Sequence, residues 1–92
     1  MDPRTKRQEI LTIAARYGAS NVRLFGSVAR GDDRPQSDVD LLVEMAPGRS
    51  LLDLVGLCQD LEGLLKRTVD VLTDASLHPA LRERILAEAR PL

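Results

Sequence analysis

Residues 26–43 read Gly26-Ser27-Val28-Ala29-Arg30-Gly31-Asp32-Asp33-Arg34-Pro35-Gln36-Ser37-Asp38-Val39-Asp40-Leu41-Leu42-Val43. The last third of this stretch alternates. Val39, Leu41 and Val43 fall on one side of an extended chain and Asp38 and Asp40 on the other, so the run from Asp38 to Met45 predicts a strand with one apolar and one acidic face. Alternation also brings the Asp38 and Asp40 Cβ atoms to within about 6–7 Å of each other. The stretch opens at a glycine. Val22 and Leu24 alternate with Arg23 and Phe25 just before it, the pattern of a short strand that follows turn residues Ser20 and Asn21 and ends at Gly26. Gly31, Asp32, Asp33, Arg34 and Pro35 make a polar loop between the two strands.

Outward from this stretch the periods change. Asp2 before Pro3 suits a helix start, and Ile10, Ile13, Ala14 and Tyr17 recur at helical spacing until Gly18. Ser50 caps a second helix, whose Leu51, Leu54, Val55, Cys58, Leu61 and Leu65 fall on one face, with Leu52, Leu57 and Leu64 widening it beyond a core stripe. Arg67 to Thr73 reads as a third strand, Val69 and Val71 on one parity and Asp70 on the other. A helix from His78 to Arg90 follows, with Leu77, Leu81, Ile85 and Ala89 facing inward and Pro91 stopping it. The order is helix, strand, turn, strand, helix, strand, helix.

If the valines of the third strand share the core with Val39 and Leu41, then Asp38, Asp40 and Asp70 share the opposite face of one sheet. Two carboxylates about 5 Å apart repel by roughly 3 kcal/mol at an effective dielectric near 20, a cost that a cation between them removes. An oxygen-only donor set favours Mg²⁺ or Mn²⁺, ions that complete their shells with substrate phosphates, and two such ions can hold both the attacking and the leaving oxygen of a displacement. Gly26 and Ser27 offer the phosphate side of such a site: a glycine that lets backbone approach, and a hydroxyl with free amides at a helix start. No GxxxxGK[ST] run exists in the chain, so this is not a P-loop.

Composition removes other classes. Thirteen Lys and Arg against fourteen Asp and Glu leave a net charge of -1, and Tyr17 and Phe25 are the only aromatics. There is neither the field nor the stacking surface for non-specific binding to nucleic acid. No stretch approaches the length of a membrane span, the lone Cys58 makes no internal disulfide, and Met1 to Ile10 is charged, which together predict a cytoplasmic protein. Ninety-two residues suffice for one core, so residues 1–92 are expected to form a single domain.

The motif resembles the signature of the minimal nucleotidyltransferases of the DNA polymerase β superfamily, GSxARGxxxxxSDxDLxV. Gly26, Ser27, Ala29, Arg30, Gly31, Ser37, Asp38, Asp40, Leu41 and Val43 fill every fixed place. The resemblance implies an α/β (α+β) fold, a small mixed sheet with helices packed on one face, like the polymerase β palm. It implies that Asp38 and Asp40 bind two Mg²⁺ ions and that Asp70 is the third carboxylate, binding one metal and preparing the attacking hydroxyl, with Asp74 as its alternative. It implies that Gly26 and Ser27 contact the triphosphate of ATP. Members of this size, the MntA-type antitoxins of HEPN/MNT systems, stand beside a HEPN toxin, which they neutralise by moving AMP from ATP onto a toxin tyrosine. The same role is expected here, against the alternative of a non-catalytic module that neutralises its partner by occlusion.

Other residues carry plainer expectations. Arg30 either donates to phosphate or pairs with Asp32 or Asp33. Ser37 satisfies backbone amides before the second strand, His78 starts a helix, and Cys58 behaves as a small hydrophobe. A chain this short has no wall to enclose a small acceptor, so the acceptor is expected to be a protein. Leu52, Leu57 and Leu64 offer a place for that partner or for a second copy of the chain.

Overall fold

The computed structural model describes residues 2–32, 34 and 37–92. Asp33, Pro35 and Gln36 of the expected polar loop lie outside the described residues, as does Met1. Asp2 accepts the Arg4 amide at 2.9 Å and opens a 3₁₀ turn, Pro3–Lys6, that leads into α1, Arg7–Arg16. Gly18 reverses the chain at φ +77°, and β1 runs Ala19–Phe25. Then come α2, Gly26–Arg30; β2, Val39–Met45; α3, Leu51–Leu65; and β3, Val69–Thr73. A 3₁₀ turn at Asp74–Ser76 precedes α4, Pro79–Glu88, and Arg90–Pro91 forms a short β4.

The four strands lie in the order β3-β2-β1-β4, with β2 parallel to β3 and antiparallel to β1. The sheet is therefore mixed, as expected. Val22 and Leu24 of β1, Val39, Leu41 and Val43 of β2, and Val69 and Val71 of β3 pack with Ile10 and Ala14 of α1 and Leu57, Leu61 and Leu65 of α3. The alternate residues face the other way. Phe25 and Leu42 there form a smaller cluster with Leu77, flanked by Leu72 and by Ile85, Leu86 and Ala89. Thus α1 and α3 cover one face, and α4 covers part of the second.

Several local expectations give way to tertiary effects. Ser20 and Asn21, expected in a turn, lie inside β1, where a register shift against β2 and an Asn21 φ of +49° mark a bulge. A five-residue helix, α2, replaces the turn expected after Gly26. On α3, Ser50 and Asp53 form the capping box, Ser50 Oγ accepting the Leu52 amide at 3.2 Å and Asp53 accepting the Ser50 amide at 2.9 Å. The buried face of α3 is turned from the expected one: Leu57 is fully buried, whereas Leu51 and Leu52 are 73% and 80% exposed and Val55 is exposed as well. Helical geometry accounts for this, since Leu57 lies about 40° around the helix from Leu61 and Leu52 about 180° away. Leu64 is half-buried against the core. Leu81 is exposed, and α4 ends at Glu88, two residues short of Arg90. Pro91 does more than stop the helix, because Arg90 and Pro91 pair with Leu24 and Arg23 at the edge of β1.

Candidate active site

The register of the sheet builds the site. Asp40 is paired with Asp70 across the parallel β2–β3 ladder and with Phe25 across the antiparallel β1–β2 ladder. Asp40 shares parity with Leu42, and Asp70 with Leu72, so both acids lie on the face opposite Leu41 and Val71. Asp38 stands exposed one residue before β2, and Asp70 is also exposed, whereas Asp40 is half-buried. Burial pushes the Asp40 carboxyl up to about 6, with further upward pressure from the charges of Asp70 and Asp38. Arg30 opposes this and Glu88 reinforces it. Asp40 thus feels the charges of both other predicted acids, of Arg30 and of Glu88.

The acids share a face without forming a closed cage. Among the described residues no group of three His, Cys, Asp or Glu side chains is gathered closely enough to hold an ion, which corrects the expectation of carboxylates already near enough to share ions. The donor set still suits a hard divalent cation: three carboxylates with no nitrogen or sulfur among them, one of them half-buried beside two like charges.

Gly26 joins the acids to the start of α2. Its φ is +72°, and a Cβ built there would collide with Asp40 Oδ2. No residue with a side chain fits this position unless the carboxylate moves. Ser27 follows as the second residue of α2, half-buried, and Gly31 ends the helix at φ +80°. Phe25, at the N-cap, gives the first turn no side-chain cap.

The other candidates fall elsewhere. Arg30 bonds to Asp32, at 3.3 Å, and to Glu88 at the end of α4, so the pairing reading of Arg30 is the one observed, with a partner the sequence did not suggest. Asp74 is four residues from Asp70, about 13 Å along an extended chain, and it accepts from Arg23 at 2.6 Å while opening the 3₁₀ turn. It is Asp70, then, that faces Asp40. Ser37 Oγ accepts the Arg34 amide at 2.8 Å, and His78 Nδ1 accepts the Ala80 amide at 3.1 Å at the start of α4. Cys58 is half-buried with its Sγ 3.5 Å from the Val69 carbonyl, and burial pushes its thiol up. Glu88 and Arg67 are the neighbours of the site that sequence reasoning missed. Arg67 bonds the backbone ahead of Asp38, donating to the Ser37 and Arg34 carbonyls. A carbonyl partner leaves no trace in a residue pattern, and Glu88 reads as one charge among several on α4.

Residues 7–92 match the family model described as nucleotidyltransferase domain. A relative from Methanocaldococcus jannaschii, named as a candidate protein adenylyltransferase, is 47% identical over 83 residues, 90% of this chain and 89% of the relative. Protein adenylyltransferase MntA of Thermococcus cleftensis is 37% identical over 73 residues, 79% of this chain and 74% of that protein. Among solved structures, one described as a candidate minimal nucleotidyltransferase superposes with a TM-score of 0.87 at 52% identity, over 97% of this chain and 91% of that one. The fold is also that of a chain in a toxin-antitoxin crystal structure with AMP-PNP, at a TM-score of 0.78 and 22% identity, over 91% of this chain and 69% of that one.

Proposed function

The chain belongs to the nucleotidyltransferase domain family, among its MntA-type protein adenylyltransferases, and from that premise we propose that it moves AMP from ATP to a hydroxyl of a protein acceptor, a tyrosine of a HEPN toxin, and so acts as an antitoxin. The observation that carries this reading is the contact between Gly26 and Asp40. It sets the backbone suited to phosphate directly against the acid suited to a cation. Asp38, Asp40 and Asp70 would hold Mg²⁺, which when bound neutralises charge on the triphosphate.

The chain's own groups have separate tasks in the transfer. Gly26 lets the triphosphate approach the start of α2, where Ser27 adds a hydroxyl and amide donors. Asp70 is exposed beside Asp40, and accepts the proton of the acceptor hydroxyl as its oxygen attacks the α-phosphorus and pyrophosphate leaves. The exposure of Asp38 and Asp70 keeps that side of the site open, which suits an acceptor that arrives on the surface of another protein. The test is to incubate the chain with adenine-labelled ATP, Mg²⁺ and a HEPN toxin. Label should appear on a toxin tyrosine with wild type and disappear with Asp40→Asn. Toxin neutralised equally by wild type and Asp40→Asn, with no label transferred, would replace this reading with occlusion.

A further inference from the structure

We propose that Arg67 is a positioning residue for the metal-binding acids, fixing Asp38 relative to Asp70 by clamping the backbone ahead of β2 to the start of β3. The inference rests on the reading of Asp38, Asp40 and Asp70 as metal ligands. Arg67 Nε donates to the Ser37 carbonyl at 3.1 Å, and Nη2 donates to the same carbonyl at 2.8 Å and to that of Arg34 at 3.2 Å. Ser37 is the residue before Asp38, and Arg67 is three residues before Asp70.

The clamp takes over where the strand ladder stops. Thr68 accepts the Val39 amide at 2.9 Å at the mouth of the parallel β2–β3 pair. One residue before Thr68 and two before Val39, Arg67 meets Ser37 by side chain instead of backbone. The two residues whose carbonyls are gripped are also bonded to each other, Ser37 donating its amide to the Arg34 carbonyl at 2.9 Å and accepting the Arg34 amide on its hydroxyl at 2.8 Å. Holding both carbonyls therefore fixes the Ser37 backbone from which Asp38 emerges. Asp40 sits within the ladder and Asp70 one residue into β3, so Asp38 is the acid that most needs outside support. The planar guanidinium fork suits two carbonyls at once, whereas a lysine ammonium carries its donors on a single nitrogen.

Mn²⁺ binding in the presence of AMP-PNP, followed on the full chain by loss of the free-ion electron paramagnetic resonance signal, tests the clamp. Arg67→Ala should raise the half-saturating Mn²⁺ concentration by about tenfold or more, the usual effect of losing a group that orients a metal ligand. Arg67→Lys, which keeps the charge and most of the side chain, should fall on the Ala side of wild type and carries the test if the alanine variant does not fold. Transfer rate at saturating metal should recover while the metal requirement stays raised, a split that general loosening of the fold does not produce. Folded Arg67→Lys and Arg67→Ala binding Mn²⁺ within twofold of wild type would overturn the clamp. Wild type and Asp38→Asn binding Mn²⁺ equally would instead overturn the assignment of the acids, and the clamp with it.

Discussion

Asp40→Asn should make the metal-free protein more stable at neutral pH while removing its transfer activity. The carboxyl of Asp40 titrates near 6 in the folded chain against an ordinary 3.8. Between those values the folded state keeps a proton that the unfolded state has lost, so stability falls as pH rises through the interval. Above about 6 both states are ionised and the full penalty applies; below 3.8 both are protonated and none applies. The interval spans just over two pH units, which at about 1.4 kcal/mol per unit sets a ceiling near 3 kcal/mol. Asp40 is only half-buried, and solvent screening brings the expected penalty to about 1–1.5 kcal/mol. Asparagine keeps the shape and drops the charge. Urea melts in EDTA should therefore show Asp40→Asn ahead of wild type by about 1–1.5 kcal/mol at pH 7.5, with the gain fading towards pH 3.5. A gain of the same size at both pH values, or a less stable variant at pH 7.5, would refute the account of a half-buried carboxylate crowded by Asp70 and Asp38.

Gly26→Ala should fold with a loss of about 1–2 kcal/mol from its positive φ; because the new Cβ displaces the Asp40 carboxylate, transfer to the acceptor should drop far more than stability does in paired activity and melting assays. Asp70→Asn should lower the transfer rate by at least about 10²-fold, and Asp74→Asn, which removes a partner of Arg23, should lower stability and leave the rate near wild type; the opposite pattern would make Asp74 the third acid. Leu57→Ala should cost about 2–5 kcal/mol in denaturant melts, whereas Leu52→Ala, on the exposed side of α3, should stay within about 0.5 kcal/mol of wild type.

The acidic strands were legible because one of their faces is buried. With Val39, Leu41, Val69 and Val71 committed to the core, parity alone assigns Asp40 and Asp70 to the other side. The helices were harder to read for related reasons. Five residues are too few for α2 to show a period, and it begins at a glycine that sequence rules assign to a turn. On α3, leucines occur around most of the circumference, so no pattern could say that Leu57 and not Leu51 would meet the sheet. Pairing of Arg90 and Pro91 with β1, and of Glu88 with Arg30, joins residues more than fifty positions apart, which local propensity does not register. Arg67 was silent because it serves backbone carbonyls that every residue possesses.

The acids and the cradle stand on supports of different build. Asp40 is flanked in sequence by Val39 and Leu41, both fully buried, and Asp70 by Val69 and Val71, both nearly so. Their backbones are joined by the parallel β2–β3 ladder, in which β2 is paired on both sides and β3 forms the edge of the sheet. Ser27 sits on a short helix bounded by two left-handed glycines, and Val28 beside it is buried in the main core. A nucleotide entering this site would thus meet carboxylates carried on two paired strands on one side and a short helix anchored through Val28 on the other, so that a change in the core beneath either support would be felt at the triphosphate.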